Sequence, residues 1–356
     1  MTPDTAARSN PQRTAYLVLG MHRSGTSAAA QVLALAGAQL PTNLMPGDEH
    51  NAKGYFEPWK IALFNDERLR SAGGAWEDVF GYPFRPLGRR PERAWLNRAE
   101  ALFEEEYAGA AHPLLKDPRI SILLPFWRTA LADLEIGARC VIPVRHPLAV
   151  AGSLERRNGF PPQKSVLLWS SYMLAAEAYS RDLPRAFVSY DALLTDWRAE
   201  AARIEAAHGA PLPKLTERAG KAIDRFLSAS LRHNAGGGSL RALGWAGELA
   251  ADVYGWFRSA AADQNPDSAP LDRATQELVR RAEEMGPLVS PTSREVDELR
   301  GELREARAEL AHARAQFGEL REAAAREREH FEAELRAFYR AVDQAEAELD
   351  AALAAP

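Results

Sequence analysis

The stretch from Thr14 to Gly37, TAYLVLGMHRSGTSAAAQVLALAG, constrains this chain more than any other. Tyr16, Leu17, Val18 and Leu19 form an unbroken apolar run, which suits a parallel strand buried on both faces. Gly20 and Gly25 bracket a turn, Thr26 and Ser27 open a helix rich in alanine and leucine, and Gly37 closes it. A strand, a glycine-bearing loop and a helix in immediate succession form a seat for an anion. The N–H groups at the helix start lack helical partners, and the helix dipole is positive there. His22 and Arg23 lie inside the loop; Arg23 adds a fixed cation, and Ser24, Thr26 and Ser27 add hydroxyl donors.

A nucleotide triphosphatase loop reads GxxxxGK[ST], with a lysine for the outer phosphates. Here Thr26 stands where that lysine would be, and the cation comes earlier, at Arg23. A second motif, CVIPVRHPLAVAGSLERR, predicts an apolar strand over Cys140 to Val144. Arg145 stands at its carboxyl end, and a helix opening at Pro147 carries Ser153. Ligands of open α/β sheets bind outside the carboxyl ends of strands, so Arg145 and the Gly20 loop open onto one crevice if their strands are neighbours. In PLLKDPRISILLPFW, a short strand at Leu114 and Leu115 ends at Lys116, Asp117 and Pro118. In GYFEPW, Pro58 is placed to open a helix through about Leu69, with Glu57 at or beside its N-cap.

In combination these motifs resemble sulfotransferases that use 3′-phosphoadenosine 5′-phosphosulfate (PAPS), and more closely bacterial members whose Lys-Asp-Pro element is similar to that of tyrosylprotein sulfotransferases. The resemblance spans roughly Ala15 to Asn234. It implies an α/β fold: a P-loop-like parallel sheet flanked by helices. It further implies that Gly20, His22, Arg23, Ser24, Gly25, Thr26 and Ser27 cradle the 5′-phosphosulfate, and that Arg145 and Ser153, eight positions apart, take the 3′-phosphate. Lys116 would reach the phosphosulfate, with Asp117 orienting the loop or pairing with Lys116. Glu57 matches by position the glutamate that serves as base in several branches; from position alone it is equally a carboxylate at a helix start, and His50 is its competitor. The donor needs no metal. The acceptor implied is a hydroxyl, less readily an amine, of a glycan or glycolipid. The GxxGxxK signature of cytosolic members is not present. Arg232 or His233 could approach the donor, Arg156 and Arg157 extend a basic rim or are solvated surface charges, and Trp76 to Arg93 lines an acceptor cleft or packs as a surface loop. Two other classes remain open: a nucleotide-dependent kinase or NTPase, and an inactive scaffold.

Beyond Pro291 the character changes. Val296, Leu299, Leu303, Ala306, Leu310, Ala313, Phe317, Leu320 and Ala324 alternate steps of three and four, a heptad seam. A second register from Phe331 through Leu335, Phe338, Val342, Ala345 and Leu349 follows an extra step of four. This predicts a coiled coil over 291–352 that self-associates or docks on a partner coil. Upstream, 1–14 reads as a disordered tail, 15–235 as the sulfotransferase-like domain and 236–290 as a helical linker. The last segment holds ten arginines against sixteen acids, leaving the rest of the chain near +1 of a total of −5. That rest is no polybasic nucleic-acid binder. The lone cysteine, Cys140, sits in an apolar run and reads as an inert buried thiol. No stretch approaches the roughly 18 apolar residues of a membrane span, and Met1 to Arg13 lacks a secretory core, so the expected location is cytoplasmic.

Overall fold

A computed structural model describes residues 13–47, 54–81, 89–227 and 238–353. The chain divides into two units, Met1–Arg294 and Glu295–Pro356. In the first, β1 (Thr14–Val18), β2 (Leu114–Lys116), β3 (Gly137–Val144) and β4 (Arg185–Ser189) form one sheet in the order β2-β1-β3-β4, every pair parallel. In register, Leu17 of β1 stands between Leu115 and Cys140. The apolar runs are buried on both faces, as a sheet covered by two helix layers requires. Ala15, Leu17 and Leu19 face a core shared with α2 (Trp59–Ser71), α3 (Arg89–Tyr107), α4 (Ile120–Asp133), α5 (Pro147–Asn158), α6 (Pro162–Tyr179) and α10 (Trp245–Ala260). Tyr16 and Val18 face the other core, with α1 (Thr26–Leu35), α7 (Tyr190–Thr195), α8 (Trp197–His208) and α9 (Glu217–Phe226). This is the expected α/β class, followed by a long C-terminal helix, α11 (Ala269–Leu353).

The winding positions the site. From β1 the chain passes outward to β2, then returns across β1 to β3. The direction of winding reverses at β1, and the carboxyl ends of β1 and β3 therefore border a crevice.

Several elements differ from expectation for local reasons. The apolar run after Asp117 is α4, exposed only along a narrow stripe of Pro125, Thr129, Ala132 and Asp133, and its internal proline argues against a helix in the sequence. Pro58 takes the N-cap position and α2 starts at Trp59, which leaves Glu57 outside the helix. Asp196 caps α8 by accepting the Ala199 N–H at 3.1 Å, and Asp191 lies in the first turn of α7. α11 runs on through Pro287 and Pro291 instead of starting there. Cys140 is fully buried, which pushes its thiol up to about 12, outside the range of a reactive thiolate. Among the described residues, no helix is long and apolar enough to cross a membrane. Of the tail expected over 1–14, Thr14 instead opens β1; residues 1–12, together with His50, Arg232 and His233, lie outside the described residues.

Candidate functional site

The loop after β1 is held open by its backbone. Gly20, Arg23 and Gly25 have φ of 128°, 70° and 94°. Glycine adopts such angles freely, whereas arginine does so at a cost usually tolerated at functional positions. Ser121 of α4 pins the entry: its Oγ accepts the Gly20 N–H at 2.7 Å and donates to the Gly20 carbonyl at 3.2 Å. The left-handed turn at Arg23 sends its guanidinium to α5, where Nε donates to Ser153 Oγ at 2.8 Å. Arg145, just past β3, donates from Nη1 to the Arg23 carbonyl at 2.8 Å. The two motifs are thus joined at both the backbone and the side chain of Arg23.

The first bond of α1 is from Ala29 N–H to the Gly25 carbonyl, at 3.1 Å. The N–H groups of Thr26, Ser27 and Ala28 precede it and have no partner within the helix. Ser24 Oγ is buried beside them with no hydrogen-bond partner among the described residues. An orphaned hydroxyl at a helix start beside a guanidinium is a fit for an anionic oxygen, since a bare buried hydroxyl otherwise costs about 1–3 kcal/mol. Arg145 lies over the Tyr190 ring, 4.5 Å from its centroid. Burial, joined by the charge of Arg23, lowers the Arg145 pKa. His146 caps α5 by accepting the Leu148 N–H at Nδ1, at 3.2 Å, and so fixes the helix that carries Ser153.

On the other flank, Lys116 ends β2 and points at the loop. Its Nζ donates to Glu57 Oε1 at 2.5 Å, to the Tyr55 carbonyl at 2.9 Å and to Ser27 Oγ at 3.4 Å. Glu57 and Lys116 are each 2% exposed. Burial raises the Glu57 pKa, and Lys116 and Arg119 offset only part of that. The helix-start role for Glu57 is therefore corrected: its carboxylate is spent on a buried lysine, not on the N–H groups of α2. The pairing of Asp117 with Lys116 also fails, because successive residues leave a strand on opposite faces. Asp117 instead accepts from Asn65 Nδ2 at 2.7 Å and from Arg119 Nη1 at 2.8 Å. Arg119 also grips Asp66 through Nε at 2.5 Å and stands 3.9 Å from Glu57 Oε2. Trp127 Nε1 closes the lock on Asn65 Oδ1 at 2.9 Å. Asn65, Asp66 and Arg119 were missed in the sequence; the available signal was the polar pair Asn65-Asp66 breaking the apolar side of α2.

His22 sits beneath the loop, 4.7 Å from Trp76 and 6.4 Å from Tyr172 between ring centroids, with Nε2 unpartnered among the described residues. Burial drives its pKa well below 6.5, and Arg157, Arg119, Lys116 and Arg23 push the same way. Arg157 lies over Trp76 at 5.6 Å and is half-buried, whereas Arg156 is exposed. Glu77 to Phe80 are buried, so this end of the irregular stretch is a packed wall, not a surface loop. Tyr82 to Gly88 lie outside the described residues. A pH effect follows. The unfolded chain protonates His22 below about pH 6.5 while the folded chain resists, so the folded state loses stability as pH falls, by at most about 1.4 kcal/mol per pH unit. Replacing His22 by Gln removes this contribution. The Tm of wild type should therefore fall more than that of His22→Gln between pH 7.5 and 5.5; parallel curves would show that His22 carries no such penalty.

No family model matches the chain, and no curated protein matches it. Among solved structures it is similar to the sulfotransferase domain from the curacin biosynthetic pathway, at 15% identity and a TM-score of 0.34, covering 56% of this chain and 75% of that one. It is also similar to the sulfotransferase domain from the Synechococcus PCC 7002 olefin synthase, at 16% identity and a TM-score of 0.40, covering 70% of this chain and 96% of that one. At such distances a superposition says nothing of substrate. The chemistry has to come from the side chains themselves.

Proposed function

We propose that the first unit is a sulfotransferase that moves the sulfuryl group of PAPS to an acceptor hydroxyl, most readily on a glycan or lipid-linked glycan. The observation that carries this is the bridge at Arg23, which accepts from Arg145 and donates to Ser153 within one crevice. Two anion-binding elements fused this way suit a donor with two separate phosphate groups. The loop residues Gly20 to Ser27 take the 5′-phosphosulfate, and Arg145 with Ser153 takes the 3′-phosphate.

In the reaction the acceptor O–H gives its proton to a Glu57 carboxylate oxygen as the acceptor oxygen bonds sulfur. The bond from sulfur to the bridging oxygen breaks, the electron pair stays on the phosphate, and 3′-phosphoadenosine 5′-phosphate leaves. Arg23 and Lys116 neutralise the charge that grows on that oxygen, so catalysis is positioning and electrostatics. Lys116 already touches both partners in this exchange, Glu57 and the loop hydroxyl of Ser27. Transferring its attention to the donor frees Glu57 to accept a proton. Arg119, held by Asp66 and Asp117, remains beside the carboxylate throughout.

The test is calorimetric titration with 3′-phosphoadenosine 5′-phosphate in the absence of metal, beside ATP with magnesium. The bisphosphate should bind, and Arg145→Ala should weaken it about 10- to 100-fold, the equivalent of one charged hydrogen-bonded contact. Binding of ATP with magnesium alone would move the assignment to a kinase-like enzyme. If neither ligand bound, the first unit would be a scaffold.

A further inference from the structure

In the second unit the heptad seam stands open to solvent: Leu299, Leu303, Leu310, Phe317 and Leu320 are between 49% and 69% exposed. With Val296, Leu303, Leu310 and Phe317 at position a, and Leu299, Ala306, Ala313 and Leu320 at d, the flanking positions sort by charge. Every e position from Arg300 to Arg328 is arginine: Arg300, Arg307, Arg314, Arg321 and Arg328. The g positions before them are Glu295, Glu302, Glu309 and Gln316. We propose that this segment pairs with a second copy of the chain as a parallel, in-register, two-stranded coiled coil.

The charge pattern selects both partner and direction. In a parallel pair each g residue meets the e residue of the next heptad in the other chain, so Glu295 meets Arg300, Glu302 meets Arg307 and Glu309 meets Arg314. Every such contact is attractive and occurs twice by symmetry. An antiparallel pair sets e against e and g against g, arginine against arginine and glutamate against glutamate. The same pattern is self-complementary, so a second copy satisfies it without any other protein.

Local pairing within the helix supports this. Arg307, Arg314 and Arg321 have no acidic residue three or four positions away in either direction, so the usual intrahelical ion pair is closed to them. Arg328, whose g partner would be the neutral Ala323, does have one, with Glu332 at 2.9 Å. Intrahelical pairing is thus closed to three of the four arginines that the dimer supplies with a glutamate or a glutamine, and available to Arg328, which the dimer leaves without one; Arg300 alone has both Glu295 across the dimer and Asp297 three positions before it. The alanines at d thin the layers at Ala306 and Ala313, which suits the narrow core of two strands and leaves direction to the charges.

The experiment uses the full chain and does not rest on the sulfuryl-transfer reading. Light scattering should give twice the 39.2 kDa of one chain. Val296→Cys and Val342→Cys, each at an a position near one end of the seam, are made separately and equilibrated in a thiol–disulfide buffer; buried Cys140 stays inert. Each variant should crosslink to itself. An antiparallel pair would hold identical positions tens of ångströms apart, at about 1.5 Å per residue, and would crosslink only when the two variants are mixed. As a second arm, Arg307→Glu with Arg314→Glu should leave a monomer, and so should Glu302→Arg with Glu309→Arg, while a mixture of the two should restore the dimer. A monomeric wild type, a trimer, or crosslinking only in the mixture would overturn the proposal.

Discussion

Glu57→Gln should lower kcat for sulfuryl transfer by about 10²–10⁴, the usual contribution of a positioned general base. Binding of 3′-phosphoadenosine 5′-phosphate should barely change, because in the proposed reaction Glu57 serves the acceptor, and Arg23, Arg145 and Ser153 serve the donor. The substitution keeps size and an acceptor oxygen for Lys116, which also retains the Tyr55 carbonyl and Ser27 Oγ. The rate loss is therefore separable from unfolding, and circular dichroism of the variant should match wild type. The pH profile makes a sharper statement. A base works ionised, so activity is present above its pKa and lost as pH falls through it. Burial raises the Glu57 pKa above the ordinary 4.5, so the acid limb of kcat/KM should lie above that value and vanish in the variant. The stability sign is opposite. A carboxyl whose folded pKa is raised contributes stability below its unfolded pKa and loses it as pH climbs through the folded one. Wild type should thus gain on Glu57→Gln in Tm as the pH is lowered, while losing activity. Retention of most of the activity by Glu57→Gln would remove Glu57 from the chemistry.

Much of this arrangement was legible in the chain, and the reason is periodicity. Tyr16 to Leu19 and Cys140 to Val144 are continuous apolar runs, each followed within a few residues by a cation and a helix-opening residue. That is enough to set two strand ends beside one crevice once the strands pair. The geometry at Arg23 was not legible. Its positive φ, and its bond to Ser153, depend on which strands are neighbours and on Ser121 pinning Gly20 from a helix 101 positions further along the chain. The base side was legible only in part. The residue type and order pointed to Glu57 and Lys116, but their contact spans 59 positions of chain and is set by the lock of Asn65, Asp66, Asp117 and Arg119. Such a lock is made of polar residues with no fixed spacing, and sequence alone gives it no pattern.

Gly25→Ala should damage both the stability of the first unit and its anion seat. A Cβ there would stand 2.3 Å from Cδ2 and 2.9 Å from Cε2 of Tyr190, and φ at this residue is 94°. Two costs combine. An L residue held at positive φ loses about 1–2 kcal/mol, and forcing a methyl into a packed ring costs about 1–3 kcal/mol more. The sum, roughly 2–5 kcal/mol, corresponds to a fall in Tm of about 3–8 °C for a domain of this size. The ring cannot simply yield, since Tyr190 also carries Arg145 against its face, at 4.5 Å. Displacing Tyr190 therefore displaces Arg145, the residue proposed for the 3′-phosphate, while displacing Gly25 tilts the first N–H groups of α1 out of the proposed anion seat. Donor affinity should fall at least about tenfold, by loss of one charge-assisted hydrogen bond or more. The two routes are separable. Tyr190→Leu in the Gly25→Ala background relieves the ring contact and leaves the backbone strain, so the double variant should lose less stability than the two single losses added together. Strict additivity would mean that the ring and the loop do not press on each other. A Gly25→Ala protein with wild-type Tm and wild-type affinity for 3′-phosphoadenosine 5′-phosphate would mean that the left-handed turn is not what shapes the anion seat.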